Sequence, residues 1–219
     1  MDASSNMGIV LELLQCPECR QGRLAIEQPG ATLRCEHCGE CYQVQRGILD
    51  LLRKQDQPLA NKAFGTIYTR WYDLSYARST FCKLNQGQFE DEFDEYTHPM
   101  KLQPGEILVD VGCGTGNYTL QFARALSLGI AIGIDLSMAM LESLTQHAQT
   151  LGVKNIAAIH ANAENLPFKA GGLGKVFNGC LHHLFRNIRL SLEEAHRCLG
   201  PGGTFSARLS LQLCRVCPR

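Results

Sequence analysis

The amino-acid sequence predicts an α/β protein built on a doubly wound, mostly parallel sheet, with a small cysteine-rich segment before it. Three observations support this prediction. Strand-like and helix-like segments alternate with short connections after residue 105. A glycine-rich turn joins the first of these strands to the helix that follows it. Two Cys-x-x-Cys pairs lie within residues 16–38.

Composition divides the chain into three predicted regions. Residues 1–56 contain the cysteine pairs, residues 57–104 form an aromatic-rich linker, and residues 105–219 carry the alternating pattern. Within the linker, aromatic side chains recur at helical spacing, which predicts a helix packed on the rest of the protein or a lid over a bound ligand. These residues are Phe64, Tyr68, Trp71 and Tyr72.

The charge balance limits the classes of function. The chain has 21 basic and 21 acidic residues, so its formal net charge is zero. Proteins that mainly grip nucleic-acid phosphates carry an excess of Lys and Arg, which this chain lacks. Its eleven cysteines are an odd number, and its first residues lack the basic start and cleavage site of an export signal. We therefore expect reduced thiols, a metal site and a cytoplasmic location.

The alternating region predicts five strands and three helices in order. Each strand is short, apolar and rich in branched residues, and each helix repeats apolar residues every three or four positions. The strands lie in "EILVDVG", "AIGIDL", "IAAIHANAENL", "KVFNGCL" and "TFSARLSL". The helices lie in "YTLQFARALSL", "MAMLESLTQHAQTLG" and "LSLEEAHRCLG". Gly152 occupies the usual C-terminal position of the second helix, and "GPGG" ends the third.

The glycine turn after the first strand predicts a nucleotide-like ligand. Gly112, Gly114 and Gly116 follow the spacing G-x-G-x-G, which lets a ligand approach the backbone at a helix start. A dinucleotide site has G-x-G-x-x-G, and a triphosphate loop has a Lys that is missing here. Asp110, just before the turn, would repel a pyrophosphate but suits a ligand with an ammonium group.

The next two strands add groups for an adenosine. Asp135 ends the second strand, where an acidic side chain accepts hydrogen bonds from ribose hydroxyls. Asn162, after the third strand, places an amide oxygen where an adenine amino group can donate to it. An adenosine with a cationic, amino-acid-like tail and no phosphate satisfies all these groups. That ligand is S-adenosylmethionine.

With these motifs, residues 105–209 resemble the class I S-adenosylmethionine-dependent methyltransferases of the type 11-like group. "VDVGCGTG" is similar to their first motif, "GIDLSMAML" to their second and "ANAENLPF" to the loop that binds adenine. "NGCLHHL" and "EEAHRCLGPGGTF" resemble their later segments. The resemblance implies a Rossmann-like fold, with Asn162 and the backbone of Ala163 at the adenine. Independently of the resemblance, His182 follows the fourth strand, at the edge where open α/β sheets bind substrate, and is a weak candidate for a general base.

Two features depart from the family pattern. Gly174 stands where an acidic residue is usual, and the sequence ends soon after the fifth strand. The usual fold adds a further helix and two strands, so we expect an exposed sheet edge, a truncated or frameshifted form, and possible cover by a protein partner.

The cysteine pairs predict a zinc site. Cys16 and Cys19 are separated by fifteen residues from Cys35 and Cys38, which fits a tetrahedral four-thiolate centre. Cys41 and His37 remain as spare ligands. With "YQVQRGILDLL", this segment resembles the zinc ribbons of methyltransferase activator subunits, of ribosomal RNA guanine-N1 methyltransferases, and of plastid and cyanobacterial-type methyltransferases. From Cys16 to Asp56 it has six acids and six bases, so we expect a structural role before an RNA-binding one.

Together these observations predict a cytoplasmic methyltransferase that uses S-adenosylmethionine and holds Zn²⁺. The expected acceptor is a small or isoprenoid-like molecule, or a guanine of ribosomal RNA. Two alternatives stay open. One is a non-catalytic, truncated methyltransferase fold that acts as a binding or regulatory module. The other is a zinc-ribbon RNA-binding protein whose second domain is inert.

Overall fold

The computed structural model describes residues 3–28, 32–56, 93–95, 97–179 and 186–207. Within them, one nine-stranded sheet runs through the molecule. Its strands are β1 (Leu24–Gln28), β2 (Thr32–Cys35), β3 (Cys41–Gln45), β4 (Ile48–Asp50), β5 (Ile107–Val111), β6 (Ile130–Asp135), β7 (Ile156–His160), β8 (Leu173–Asn178) and β9 (Leu199–Ala207). The helices are α1 (Ala3–Leu13), α2 (Asn117–Leu126), α3 (Met138–Thr150) and α4 (Ile188–Cys198), with 3₁₀ turns at Lys54–Asp56 and His98–Met100.

The five predicted strands of the alternating region form a parallel sheet in the order β7-β6-β5-β8-β9. The first of them, β5, lies at the centre, and the order reverses beside it, which is the doubly wound arrangement. The predicted fold class is therefore confirmed. The carboxyl ends of β5, β6 and β7 meet at one edge, and the glycine turn lies there.

The N-terminal strands continue this sheet instead of forming a separate one. Strands β1 to β4 pair antiparallel with one another. Strand β4 then pairs parallel with β7, with Ile48 opposite Ala158 and Asp50 opposite His160. The sequence analysis placed the zinc ribbon in a domain of its own and did not predict this pairing. The boundaries at 56 and 104 remain predictions.

One hydrophobic core joins the two halves. Leu14, Leu33 and Leu49 of the N-terminal segment pack in the same buried cluster as Ile132 of β6 and Phe168 of the loop after β7. All five side chains are at most 1% exposed. Burying such side chains stabilises a fold by roughly 1.5–3 kcal/mol each, so the N-terminal half contributes directly to the stability of the parallel sheet.

Local sequence signals explain the ends of the helices. Ser137 caps α3, and its side chain accepts a hydrogen bond from Met140 N at 3.4 Å. Asn187 caps α4 in the same way, through Leu190 N at 3.1 Å. Gly152 has φ +67° just after α3, as its predicted C-terminal position requires.

The final strand differs from its prediction. Strand β9 begins at Leu199, whereas the sequence predicted a turn at "GPGG" and a strand from Thr204. Leu173 pairs with Leu199 and Lys175 with Thr204, so Gly200–Gly203 bulge out of the ladder. The glycines still make a turn, but inside a strand.

Several predicted features lie outside the described residues. They are the linker aromatics Phe64, Tyr68, Trp71 and Tyr72, the candidate base His182, and residues 208–219. Among the described helices, none has the length and apolar character needed to span a membrane.

Candidate functional site

The glycine turn adopts a backbone conformation that side chains disfavour. Gly112, Gly114 and Gly116 have φ values of +73°, +55° and +88°. The turn is tied to strand β6, because Gly112 N and Cys113 N both donate to Ile134 O, at 2.7 and 2.9 Å. Gly116 then starts α2, whose first turn presents backbone N–H groups at the sheet edge.

Asp135 holds the turn from the end of β6. Its Oδ2 accepts from Gly114 N at 2.9 Å, and its Oδ1 accepts from Ser137 N at 2.8 Å. Burial raises the pKa of this carboxyl, while the hydrogen bonds from Ser137 and Gly114 and the nearby His160 oppose the rise. The predicted ribose acid therefore contacts the predicted cofactor turn directly.

Asp110 lies beneath the turn, only 1% exposed. The Thr119 hydroxyl donates to its Oδ2 at 2.6 Å. Burial raises the pKa of Asp110 to about 7, and the charge of Asp135 adds to the rise. The covered carboxylate lies directly beneath the predicted cofactor turn, and its role toward a ligand remains a prediction.

Asn162 and Ala163 begin the loop of residues 162–168, here called the adenine loop. Ala161 N donates to Asp135 O at 3.1 Å, which brings the loop beside the residue predicted to bind the ribose. Asn162 Oδ1 accepts from Glu164 N at 2.9 Å. An adenine amino group would compete with this local bond or share the oxygen, which has two lone pairs.

The structure thus brings together the glycine turn, Asp135 and Asn162 at one edge of the sheet. The predicted base His182 lies outside the described residues. Gly174, where the family carries an acid, lies in β8, and a side chain there would meet no atom within 4 Å. Space does not exclude an acidic residue at this position.

The four predicted metal ligands form a cluster. All four sulfurs lie within 4.8 Å of one another, and the Cys16–Cys38 and Cys19–Cys35 pairs are each 3.7 Å apart. A tetrahedral zinc ion with Zn–S bonds of about 2.3 Å places its sulfurs about 3.8 Å apart. The donor set therefore fits Zn²⁺.

The thiols of the cluster differ in pKa. Burial raises the pKa of Cys16, and the pKa of Cys38 is raised to about 12, because a backbone hydrogen bond from Glu40 is outweighed by burial and the other three cysteines. Burial opposes ionisation of Cys19, but backbone N–H groups of Gln21 and Gly22, together with the neighbouring cysteines, lower its pKa to about 6. Cys41 is exposed and makes a weak contact with Gly39 O at 3.5 Å. Neither Cys41 nor His37 belongs to the cluster found among the described residues.

Two polar links between the N-terminal segment and the parallel sheet with its helices were not predicted. His160 Nδ1 is 2.7 Å from Asp50 Oδ1, and its Nε2 is 3.0 Å from Leu136 O, next to Asp135. Both partners are acceptors, so the ring satisfies both when each nitrogen carries a proton. No local pattern in the sequence pairs residues 110 positions apart.

The second link centres on Glu194, a buried carboxylate of α4. Arg20 Nη1 and Arg197 Nε each donate to its Oε1 at 2.9 Å. Burial alone would raise the pKa of Glu194, but the two guanidinium groups lower it, so the carboxylate stays ionised.

Comparisons with known proteins match two separate segments of the chain. Residues 108–203 match a family model described as a methyltransferase domain. Residues 9–47 match a model described as Trm112p-like protein. Within these two segments, the chain carries a methyltransferase domain and a Trm112p-like zinc ribbon. The resemblance drawn from the motifs is confirmed.

Curated relatives cover different parts of this chain. An uncharacterized chloroplastic methyltransferase of Arabidopsis thaliana is 25% identical over 218 residues, which are 89% of this chain and 60% of the relative. A demethylmenaquinone methyltransferase of Staphylococcus epidermidis is 36% identical over 105 residues, 48% of this chain and 43% of the relative. The chain thus spans about three fifths or less of these relatives' lengths.

Solved structures share the methyltransferase fold. The geranyl diphosphate C-methyltransferase of Streptomyces coelicolor A3(2) superposes with a TM-score of 0.52 at 20% identity, over 57% of this chain and 46% of that one. The YcgJ protein of Bacillus subtilis superposes with a TM-score of 0.50 at 24% identity, over 54% of this chain and 50% of that one. At these identities the likeness concerns the fold.

Proposed function

We propose that the protein transfers a methyl group from S-adenosylmethionine to an acceptor. One observation carries the proposal: Asp135 accepts from Gly114 N, so the ribose acid and the glycine turn form one unit beside the adenine loop. The same edge of a doubly wound sheet is where such folds bind ligands. The methyltransferase match over residues 108–203 supports the same function.

Each residue of the site has a proposed role. Asp135 accepts from the ribose hydroxyls, and Asn162 with the backbone of Ala163 binds adenine. Gly112, Gly114 and Gly116 let the methionine part lie against the backbone, where the charge of Asp110 attracts its ammonium group. Bound S-adenosylmethionine supplies an activated sulfonium methyl, so the protein's main contributions are alignment and exclusion of water. His182 remains the proposed base for acceptors that lose a proton.

We further propose that Cys16, Cys19, Cys35 and Cys38 bind one structural Zn²⁺. Four thiolates complete the tetrahedral coordination of zinc, as in closed structural sites. Such a site supplies folding energy, because the unfolded chain does not hold the four sulfurs together.

The acceptor we favour is a small, isoprenoid-like or quinone-like molecule. Several relatives are named demethylmenaquinone methyltransferases, and one is named a 2-phytyl-1,4-naphtoquinone methyltransferase. The second candidate, a guanine of ribosomal RNA, is favoured by the Trm112p-like ribbon but not by the zero net charge. A cytoplasmic location is also proposed; cell fractionation distinguishes it from the chloroplast, where two Arabidopsis relatives are named.

Transfer of a labelled methyl group tests this proposal. Zinc-loaded protein is incubated with methyl-labelled S-adenosylmethionine and either a short-chain demethylmenaquinone or ribosomal RNA. We expect label in the quinone fraction, and much less when Asp135→Asn replaces the wild type at limiting cofactor. Cofactor binding without transfer to either acceptor supports the regulatory module instead. Salt-dependent RNA binding without cofactor binding supports the RNA-binding alternative.

A further inference from the structure

We propose that Arg20, Asn165 and Glu194 are positioning residues that couple zinc binding to adenosine binding. They join the first cysteine turn of the ribbon to the adenine loop, 145 residues further along the chain. The inference rests on the proposed function, since it assigns adenine to this loop. It goes further, because it makes the zinc centre a determinant of cofactor affinity.

On the ribbon side, the contacts begin inside the cysteine turn itself. Arg20 directly follows Cys19, its N–H donates to Cys16 O at 2.9 Å, and its φ of +54° is unusual for a side-chain residue. This backbone geometry aims the guanidinium at Asn165 Oδ1, to which Nη2 donates. Pro17, between the two cysteines, accepts from Asn165 Nδ2 at 3.4 Å through its carbonyl. Both ends of one buried amide therefore contact the metal-binding turn.

Within the adenine loop, Asn165 holds the backbone of Asn162, the residue proposed to bind the adenine. Asn165 is 3% exposed, and its backbone N–H donates to Asn162 O at 2.9 Å. A displacement of Asn165 would move the carbonyl of Asn162 and the turn that carries its side chain. The amide of Asn165 thus links the metal-binding turn to the proposed adenine acceptor in two steps.

Glu194 fixes the other end of the loop. Its Oε2 accepts from Leu166 N at 3.0 Å, while its Oε1 accepts from Arg20 Nη1 at 2.9 Å. Arg197 completes the arrangement, since it donates to Glu194 and to the carbonyls of Leu166 and Phe168, at 2.9 and 2.8 Å. Glu194 is 4% exposed, so the loss of Arg20 leaves a buried carboxylate with one guanidinium instead of two.

These contacts predict reciprocal coupling. Zn²⁺ holds Cys16 and Cys19 in one geometry, and the residues between and after them hold the adenine loop. Releasing the metal frees the cysteine turn, so the loop loses its anchor and adenosine affinity falls. By linkage, bound adenosine must strengthen zinc binding by the same factor, for which we expect about tenfold.

Calorimetric titration with S-adenosylhomocysteine compares Arg20→Gln with a matched control, Arg23→Gln. Arg23 lies in the same ribbon and pairs with Glu12 at 2.9 Å, and both side chains are exposed. We expect Arg20→Gln to retain one zinc per chain and to bind about tenfold more weakly. Arg23→Gln should stay within about twofold of the wild type. Equal affinity of wild type and Arg20→Gln overturns the coupling.

The effect of bound cofactor on zinc affinity is measured by competition with a metal chelator, with and without S-adenosylhomocysteine. The ligand should raise zinc affinity about tenfold in the wild type and Arg23→Gln, and much less in Arg20→Gln. An equal rise in all three contradicts the proposal. No binding of S-adenosylhomocysteine by folded, zinc-loaded wild type contradicts the proposed function itself.

Amide hydrogen exchange at Leu166 tests the structural part without any cofactor, and it remains informative if Arg20→Gln folds poorly. Zinc-depleted wild type should exchange Leu166 N–H faster, and by a larger factor than Ile132 N–H at the centre of the sheet, which opens only with the whole fold. The conservative variant Arg20→Lys, which keeps the charge but lacks the planar fork that reaches Glu194 and Asn165 together, should exchange at a rate between those of zinc-loaded and zinc-depleted wild type. Unchanged protection of Leu166 after zinc removal overturns the coupling.

Discussion

At the scale of single residues, the two buried carboxylates at the strand ends have different tasks. Asp135 accepts two backbone hydrogen bonds and fixes the turn, whereas Asp110 accepts from Thr119 and carries a raised pKa. Both were predicted from the sequence, since acidic residues at strand ends next to glycines form a local pattern. The pair of Arg20 and Glu194 was not predicted, because the two residues are 174 positions apart and leave no local signal.

Asp110→Asn should stabilise the protein at alkaline pH. The pKa of Asp110 is about 7 in the folded state and 3.8 ordinarily, so ionisation of this carboxyl destabilises the folded protein. This cost grows as pH rises from about 4 to about 7 and is constant above, reaching at most about 4 kcal/mol. An amide still accepts from Thr119, so we expect a gain of about 2–4 kcal/mol at pH 8 in urea unfolding.

The pH dependence is the control for this variant. By pH 5 less than half of the gain should remain, because wild-type Asp110 is then protonated in the folded state. Zinc loss at low pH affects both variants alike, so the difference between them is the quantity to follow. If Asp110→Asn is less stable than the wild type at pH 8, this account of Asp110 is contradicted.

At the scale of elements, the glycine turn requires glycine for more than ligand approach. A Cβ on Gly116 would lie 2.1 Å from Cδ1 of Leu144, a fully buried side chain of α3. The turn and helix α3 thus pack together at the start of α2. The glycine spacing predicted the turn, the spacing of apolar residues predicted both helices, and Gly152 marked the end of α3. It did not predict this contact, or the pairing of β4 with β7, because strand pairing between distant segments has no local signature.

Gly116→Ala should destabilise the fold by about 2–4 kcal/mol, from a strained φ and from overpacking against Leu144. Gly152→Ala is the matched control, since Gly152 also has a positive φ but a Cβ there meets nothing within 4 Å. It should cost about 1 kcal/mol. Denaturant unfolding of both variants measures the difference; equal losses would show that packing against Leu144 is unimportant.

At the scale of the whole molecule, the zinc ribbon and the parallel sheet form one structure. They share strand pairing through β4 and β7, one buried core, and the links through His160 and Glu194. The sequence predicted both parts correctly, because cysteine spacing and strand–helix alternation are local patterns. Their union depends on contacts between distant residues. The proposed coupling of zinc to cofactor follows from that union.

Removing zinc should therefore destabilise the whole molecule in a single transition. Structural zinc contributes several kcal/mol, so we expect the calorimetric midpoint to fall by about 10 °C or more after chelation. Cys35→Ser should behave like the chelated protein. Cys41→Ser, at an exposed cysteine outside the cluster, should keep both its zinc and its midpoint. Two separate transitions, with the later one unaffected by chelation, would contradict this unity.

The most direct test of the central claim is calorimetric titration of zinc-loaded protein with S-adenosylhomocysteine, for the wild type and Asp135→Asn. An amide offers one accepting oxygen to Gly114 N, Ser137 N and the ribose, so the variant should bind at least about tenfold more weakly. Glu142→Gln, which removes only an exposed pair with Arg46, serves as the control. The account predicts one site of micromolar affinity in the wild type and the control. No binding by the folded wild type, or equal binding by Asp135→Asn, would contradict it.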